Sequence, residues 1–419
     1  MSNPVKVQPD LKFVKELQAV GGDSLKKCYQ CATCSVVCPL SPDDDPYPRK
    51  EMVWAQWGLK DRLVNDIDIW LCHNCGTCSD LCPRGAKPGD LLGALRNMAY
   101  QALAVPSIIG KWMSSAKFLP LLVAIPAILW GAIWSIRAGQ LGGNYFPLFE
   151  RGEHGWHAVE NGVIAYGGLF PGDFTIDPIF GATFLLMVIA FAAGVKKLLA
   201  SFKDMPKVYS LGAKKEPCFC SALIDALKYE VLQHTQFQNC GEDDASQKRF
   251  KGHLILMYSF VALAIVTGTV ATGHWGGWLA TQLGLDGLAH ALHLVGDTPM
   301  SLVSPVKLLA NVGAVGLLTG LFLLTARRLS LNPAKQGSSW YDWYLLTVIW
   351  LVAITGVGAE IFRLIGQPML AYPTYFAHLV TVWMLIAYLP WSKLGHLVYR
   401  VVALGYAKKV GRIPMGPRR

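Results

Sequence analysis

From about residue 118 onward, long apolar runs alternate with polar connections. Six runs stand out, roughly 118–136, 179–195, 254–272, 306–326, 344–361 and 375–391. Each approaches the ~20 residues that a bilayer-spanning helix needs. Glu360 and His378 interrupt the last two. Ahead of the runs the pattern changes to amphipathic. In "PRKEMVWAQWGLKDRLV" (48–64), Met52, Trp54, Ala55, Leu59 and Leu63 fall near helical spacing behind Pro48, and "GDLLGALRNMAYQALA" (89–104) reads the same way. Little alternates with strand period, so the fold is expected to be all-α.

Composition agrees. Of 419 residues, 53% are hydrophobic and only 16% charged, with a mean hydropathy of +0.34. An ordinary soluble domain carries roughly 25% charged residues, so a membrane protein with a soluble piece attached is implied. The net charge of +10 is explained by topology and not by nucleic acid. The connection 139–178 has one basic residue, Arg151, whereas 196–253 has ten; 274–304 has none, whereas 391–419 has seven. This alternation predicts both termini on the cytoplasmic side of an inner membrane. The opening residues hold no apolar stretch of signal-peptide type. A cytoplasmic location, together with an odd count of 11 Cys, speaks against a disulfide framework and for metal.

The cysteines carry the clearest chemistry. "CYQCATCSVVCP" (28–39) and "CHNCGTCSDLCP" (72–83) share the spacing C-x2-C-x2-C-x3-C-P. Three closely spaced thiolates hold three corners of a [4Fe–4S] cube, and the fourth reaches the other cluster. Cys28, Cys31, Cys34 and Cys82 are therefore assigned to one cluster, and Cys72, Cys75, Cys78 and Cys38 to the other. Zinc sites pair two C-x2-C knuckles instead of four cysteines closing on Pro. His73, inside the second motif, finds no iron left to bind. With the helical reading of the surrounding stretches, residues 1–105 are expected to form an α-helical two-cluster ferredoxin-like domain.

Histidines near the run ends come next. His378 and His396 are 18 residues apart, which on one continuous helix is five turns, about 27 Å along a single face. His253 opens the third run and His274 closes it. Ionisable groups at membrane depth are usually functional, so haem b ligation is expected. His253 with His396 is the inner pair. His274, 21 residues beyond His253 and just past the helix, is paired with His378 for a second haem, with His290 and His293 as reserves. His154 and His157 are taken as solvated. Cys218, Cys220 and Cys240 are read as plain thiols or a docking loop, although with His234 they form a candidate metal set. Lys307 opens the fourth run and is ordinarily a snorkelling lysine. Glu360 closes the fifth, where an acid beside a quinol site can take its proton.

Two resemblances follow from these stretches. The stretch "FAHLVTVWMLIAYLPWSKLGHLVYRVVALGYAKK" (376–409), preceded by "SPVKLLANVGAVGLLTGLFLLTARRLSLNP" (304–333), resembles the cytochrome b subunit of respiratory nitrate reductase over roughly 179–410. That family implies a histidine pair in the last helix and a lysine near the quinol in the place of Lys307. Its second histidine of the third helix is here Leu263. The first third resembles the two-cluster subunit of heterodisulfide reductase. A fusion of the two resembles the quinone-interacting membrane-bound oxidoreductase family of sulfate reducers.

These resemblances imply an organisation and a function. They divide the chain into a cluster domain (1–105), a first span with its outer loop (106–178), a five-helix cytochrome b-type bundle (179–410) and a basic tail (411–419). They imply electron flow from menaquinol through haem b, one or two of them, and two clusters to soluble flavin/iron–sulfur subunits and on to adenylylsulfate reductase. Another heterodisulfide-reductase-like assembly with a different acceptor is the alternative. A membrane anchor with structural clusters only is the reading of a different class.

Overall fold

A computed structural model describes residues 8–43, 45–140, 149–152, 155–158, 164–204, 217–234, 244–296 and 298–416. Among them the chain is overwhelmingly helical, with one short antiparallel hairpin in which Phe149–Gly152 pairs with Gly155–Ala158. Six described helices are long and apolar enough to cross a membrane. In chain order these spans are Leu119–Gln140, Asp177–Asp204, Asp244–Gln282, Pro305–Leu329, Trp340–Leu364 and Pro368–Ala387.

Each expected run has its span, but the boundaries moved. The third span runs ten residues further at each end than the apolar run, because polar helical turns carry it out of the hydrocarbon. It therefore passes straight through His274, which was expected just beyond it. On a continuous helix, 21 residues turn the side chain about 60° away from the His253 face.

The last helix is the other correction. His378 and His396 were read as lying on one face of one helix. The sixth span ends at Ala387, two tight turns follow at Leu389–Trp391 and Lys393–Gly395, and a separate helix starts at His396 and runs to Lys409. Pro390 cannot continue a helix, and the Ser392 side chain accepts the Leu394 N–H to restart the chain. The five-turn spacing therefore does not apply.

Short helices build the first domain, and Pro88–Leu103 is the longest of them. Its core does not stop at the domain edge. Trp70, fully buried, meets Tyr100 edge-on at 5.5 Å and Tyr399 at 5.8 Å, and Tyr399 in turn packs on Phe191 of the second span. One apolar core thus joins the cysteine domain to the membrane bundle. Residues expected as a basic tail join it as well. Arg412 and Ile413 are buried, and Arg412 reaches Asp68 at 3.0 and 2.6 Å. Residues 417–419 lie outside the described ones.

Elsewhere the spans keep apolar faces exposed, such as Val312, Val315 and Phe322 of the fourth and Val261 and Ile265 of the third. Such faces suit lipid. The third and fourth spans approach closely at Gly320, where an added Cβ would meet the Leu256 backbone nitrogen at 2.9 Å. Leu263, standing where the nitrate reductase pattern has histidine, packs on Gly313 at 3.2 Å from that glycine's would-be Cβ.

Candidate electron-transfer site

Both cysteine motifs fold into the same local turn. In each, the residue before the second cysteine and the residue after it are left-handed: Gln30 (φ 61°) and Ala32 (φ 69°), then Asn74 (φ 50°) and Gly76 (φ 97°). Non-glycine residues rarely adopt this conformation unless their surroundings over-determine it. The result is that backbone N–H groups face sulfur. Gln30 N donates to Cys28 Sγ at 3.4 Å and Asn74 N to Cys72 Sγ at 3.2 Å. Thr33 Oγ1 lies 3.3 Å from Cys31 Sγ and Thr77 Oγ1 3.4 Å from Cys75 Sγ. A one-turn helix then carries the third thiol of each motif, Cys34 and Cys78, into the interior.

The thiols gather in crossed sets. Burial, and then the nearby Cys28, Cys31 and Cys82, push the Cys34 thiol up to about 11. Burial, and then Cys72, push Cys38 up to about 12, with Cys75 adding to it. One cavity is lined by Cys38, Cys72, Cys75 and Cys78 together. At its wall, a Cβ on Gly89 would come 3.7 Å from Cys78 Sγ. Thiols crowded this way resist ionisation, and shared metal is what stabilises them as thiolates. N–H donors aimed at sulfur and four convergent thiols suit a cubane cluster in each set.

The histidines are placed less uniformly. His253 and His396 come together, with ring centres 6.3 Å apart. A metal–imidazole bond is about 2 Å and a donor nitrogen lies about 1 Å from its ring centre, so two imidazoles opposed on one iron stand at about this spacing. His253 Nδ1 shares a 2.9 Å hydrogen bond with His234 Nε2, and His396 Nδ1 faces the Lys393 carbonyl at 2.8 Å. Such contacts fix the ring orientation of a metal-binding histidine. His234 was expected, if anything, to accompany the loop cysteines. It sits instead in a left-handed turn (φ 52°), buried against His253. Its distance from His253 in sequence carries no helical signal, so only the fold revealed the pairing. Cys218 and Cys220 are exposed, and Cys240 lies outside the described residues.

His274 and His378 are not brought together. His274 Nε2 is 2.5 Å from Asp173 Oδ1, and the neighbouring Trp275 donates to Asp177 at 2.9 Å. His378 is on the sixth span, with Nδ1 3.1 Å from Thr355 Oγ1 and its ring over Gly356. The roughly 60° rotation on an unbroken third span explains the mismatch. His293 rests against Gly277 and His290 is exposed, so the reserves do not reach His378 either. His154 lies outside the described residues, and His157 is described only as backbone in the hairpin.

Lys307 and Glu360 do meet. Their side chains form a 2.8 Å ion pair between the start of the fourth span and the end of the fifth, each 21% exposed. Beside it, the Tyr166 hydroxyl donates to the Ala359 carbonyl at 2.5 Å, and the Tyr166 ring stacks on Tyr375 at 4.1 Å. This end of the bundle is opposite the cysteine domain.

Comparison with known proteins places the cysteine region first. Residues 24–86 match the 4Fe-4S dicluster domain family. The C subunit of H(2):CoB-CoM heterodisulfide,ferredoxin reductase from Methanothermobacter marburgensis is 39% identical over 94 residues, 22% of this chain and 50% of that protein. The E subunit of dihydromethanophenazine:CoB–CoM heterodisulfide reductase from Methanosarcina thermophila is 30% identical over 144 residues, 31% of this chain and 54% of that protein. A protein from Archaeoglobus profundus, described as like the C subunit of heterodisulfide reductase, is 32% identical over 98 residues, 23% of this chain and 50% of its own length. The chain spans about half the length of these relatives. No solved structure matches. Relatives of both the C and the E type, found for one chain, fit a dicluster domain fused to a multi-pass membrane part.

Proposed function

We propose that this chain is the membrane electron-transfer subunit of a heterodisulfide-reductase-like complex, linking menaquinol to soluble flavin/iron–sulfur subunits, with adenylylsulfate reductase as the downstream acceptor. The observation that carries the reading is the His253–His396 pair, with ring centres 6.3 Å apart, on two helices whose Arg249 and Arg400 bond His73 of the second cysteine motif. Haem b and the two [4Fe–4S] clusters, when bound, supply one-electron transfer. His253 and His396 are the haem ligands, oriented by His234 and by the Lys393 carbonyl. Cys28, Cys31, Cys34 and Cys82 hold one cluster, and Cys72, Cys75, Cys78 and Cys38 the other. The chain shows no nucleotide-binding fingerprint such as G-x-G-x-x-G after a strand, so substrate chemistry beyond the quinol falls to partner subunits.

The Lys307–Glu360 pair is the quinol site of this reading. A quinol oxidised to quinone releases two electrons and two protons. The electrons would leave one at a time to the haem held by His253 and His396. Glu360 accepts one proton once Lys307 turns to the quinol oxygen, and the second goes to water at that end of the bundle, away from the clusters. The cysteine domain and residues 391–416 lie at one end of the bundle, and in this reading that end, where the basic connections collect, faces the cytoplasm across an inner membrane. His274 has its own partner, so we count one haem.

Redox difference spectra of the purified protein test this. A b-type α-band should disappear in both His253→Ala and His396→Ala while both cluster EPR signals persist. Either variant keeping a full haem complement would end the pairing. Two haems per chain would instead give His378 a ligand that this arrangement does not bring to it. A wild-type protein without haem, its clusters unresponsive to menaquinol, would leave only the structural anchor.

A further inference from the structure

The two cysteine motifs share a fold but not their surroundings. In the first, Arg49 Nε donates to the Gln30 carbonyl at 3.0 Å and the neutral Gln56 amide to the Cys28 carbonyl at 3.0 Å. In the second, the backbone carbonyls take three guanidinium groups, two of them from the membrane part. Arg249 Nη1 donates to the Asn74 carbonyl at 2.9 Å and its other nitrogen to the His73 carbonyl. Arg96 takes the Cys72 carbonyl at 2.9 Å. Arg400 reaches the His73 ring at 2.9 Å and the Leu71 carbonyl at 3.4 Å. Gln336, from the connection between the fourth and fifth spans, adds a bond to the Asn74 carbonyl at 3.0 Å.

Two of these arginines stand in a telling place. Arg249 is four residues before His253 on the third span, and Arg400 four residues after His396 on the last helix. Each therefore lies one turn from a haem-pair histidine, on the same helix face. The first motif instead turns outward. Cys31 is exposed, and Tyr29 and Val36 are 67% and 83% exposed.

We propose that Arg249 and Arg400 are positioning residues that clamp the Leu71–Asn74 segment onto the two histidine-bearing helices, making the Cys72/Cys75/Cys78/Cys38 cluster the membrane-side electron acceptor and holding up its reduction potential. The inference rests on the electron-transfer reading above. Its physical basis is charge. Cys72 and Cys78 are buried, and burial disfavours the more negative, reduced cluster. The half-buried guanidiniums of Arg249 and Arg400 offset that cost, whereas the exposed Arg49 beside the first motif acts through solvent and is screened. The cluster of Cys28, Cys31, Cys34 and Cys82 is then the one that hands electrons outward, through the exposed face around Cys31. Each transfer moves one electron from the reduced to the oxidised centre, with no bond made or broken.

The test is an EPR-monitored redox titration of the full chain in lipid nanodiscs. Cys38→Ser and Cys82→Ser assign the two cluster signals. Arg400→Gln and Arg249→Gln should each lower the reduction equilibrium of the Cys72-set cluster roughly tenfold, 59 mV for a one-electron couple, and leave the other in place. Arg400→Lys should restore most of the shift, which a merely structural role would not predict. Arg49→Gln should not move the Cys72-set cluster. Should Arg400→Gln fail to fold, Arg249→Gln and Arg400→Lys still decide the matter. Menadiol should reduce the cluster that remains in Cys82→Ser and should not reduce the one that remains in Cys38→Ser. Equal shifts of both clusters, no shift of either, or the reverse menadiol pattern would overturn the proposal. Absence of haem from the wild type would retire the haem reading alone, because the potential shifts are read on the clusters.

Discussion

Replacing Cys82 by serine should damage a cluster whose other three ligands lie more than forty residues earlier. Cys82 belongs to the second motif, yet it acts on Cys34 together with Cys28 and Cys31. Cys38, of the first motif, acts with Cys72 and Cys75 and shares their cavity. Wild type should hold about eight iron atoms in two cubes. In Cys82→Ser, one corner loses its thiolate while the opposite cube keeps all four. Iron should fall to about seven if only that corner iron leaves, and to about four if the cube is lost. Cys38→Ser should give the same count by losing the other cube, so iron content alone does not separate them. Cysteine labelling does. With the damaged cube gone, Cys28, Cys31 and Cys34 become alkylatable in Cys82→Ser, and Cys72, Cys75 and Cys78 in Cys38→Ser. The crossed geometry is refuted if Cys82→Ser instead exposes Cys72, Cys75 and Cys78.

Three further outcomes follow from the charges. Lys307→Ala, breaking the 2.8 Å pair with Glu360, should slow menaquinol oxidation about tenfold with both cluster signals intact; unchanged steady-state kinetics would return Lys307 to an ordinary interfacial lysine. Arg412→Ala leaves the buried Asp68 with Lys50 alone, at 2.6 Å. It should cost the cluster domain about 3 kcal/mol, read as an earlier urea midpoint for loss of cluster absorbance. Glu51 is fully buried, with Lys50 Nζ 3.8 Å from Oε1, and burial, then Asp66, hold its carboxyl well above 4.5. A carboxyl raised by folding stabilises below its unfolded value and loses that contribution as pH rises through its folded one. Glu51→Gln should therefore raise the urea midpoint at pH 8 far more than at pH 4, below the ordinary glutamate value; an equal gain at both would locate the effect elsewhere.

Much of this protein is written locally. Cluster ligation depends on thiols three and four residues apart in one turn, and a span depends on about twenty apolar residues in a row. Both are properties of neighbours in sequence, so the eight cysteines and the six spans were legible there, as was the end of the bundle where the basic connections collect. Pairing between helices is another matter. Whether two side chains meet depends on helix rotation, on breaks and on how closely backbones approach. His274 turned away because the third helix did not stop where the apolar run did. His378 and His396 parted because Pro390 ends one helix and the Ser392 turn begins another. His234 reached His253 through a left-handed residue that no periodicity announces, and Arg249 and Arg400 reached the second motif across 175 and 327 residues. Those meetings are settled only when the spans pack, because packing, and not spacing along the chain, sets the angle and depth at which each helix presents its side chains.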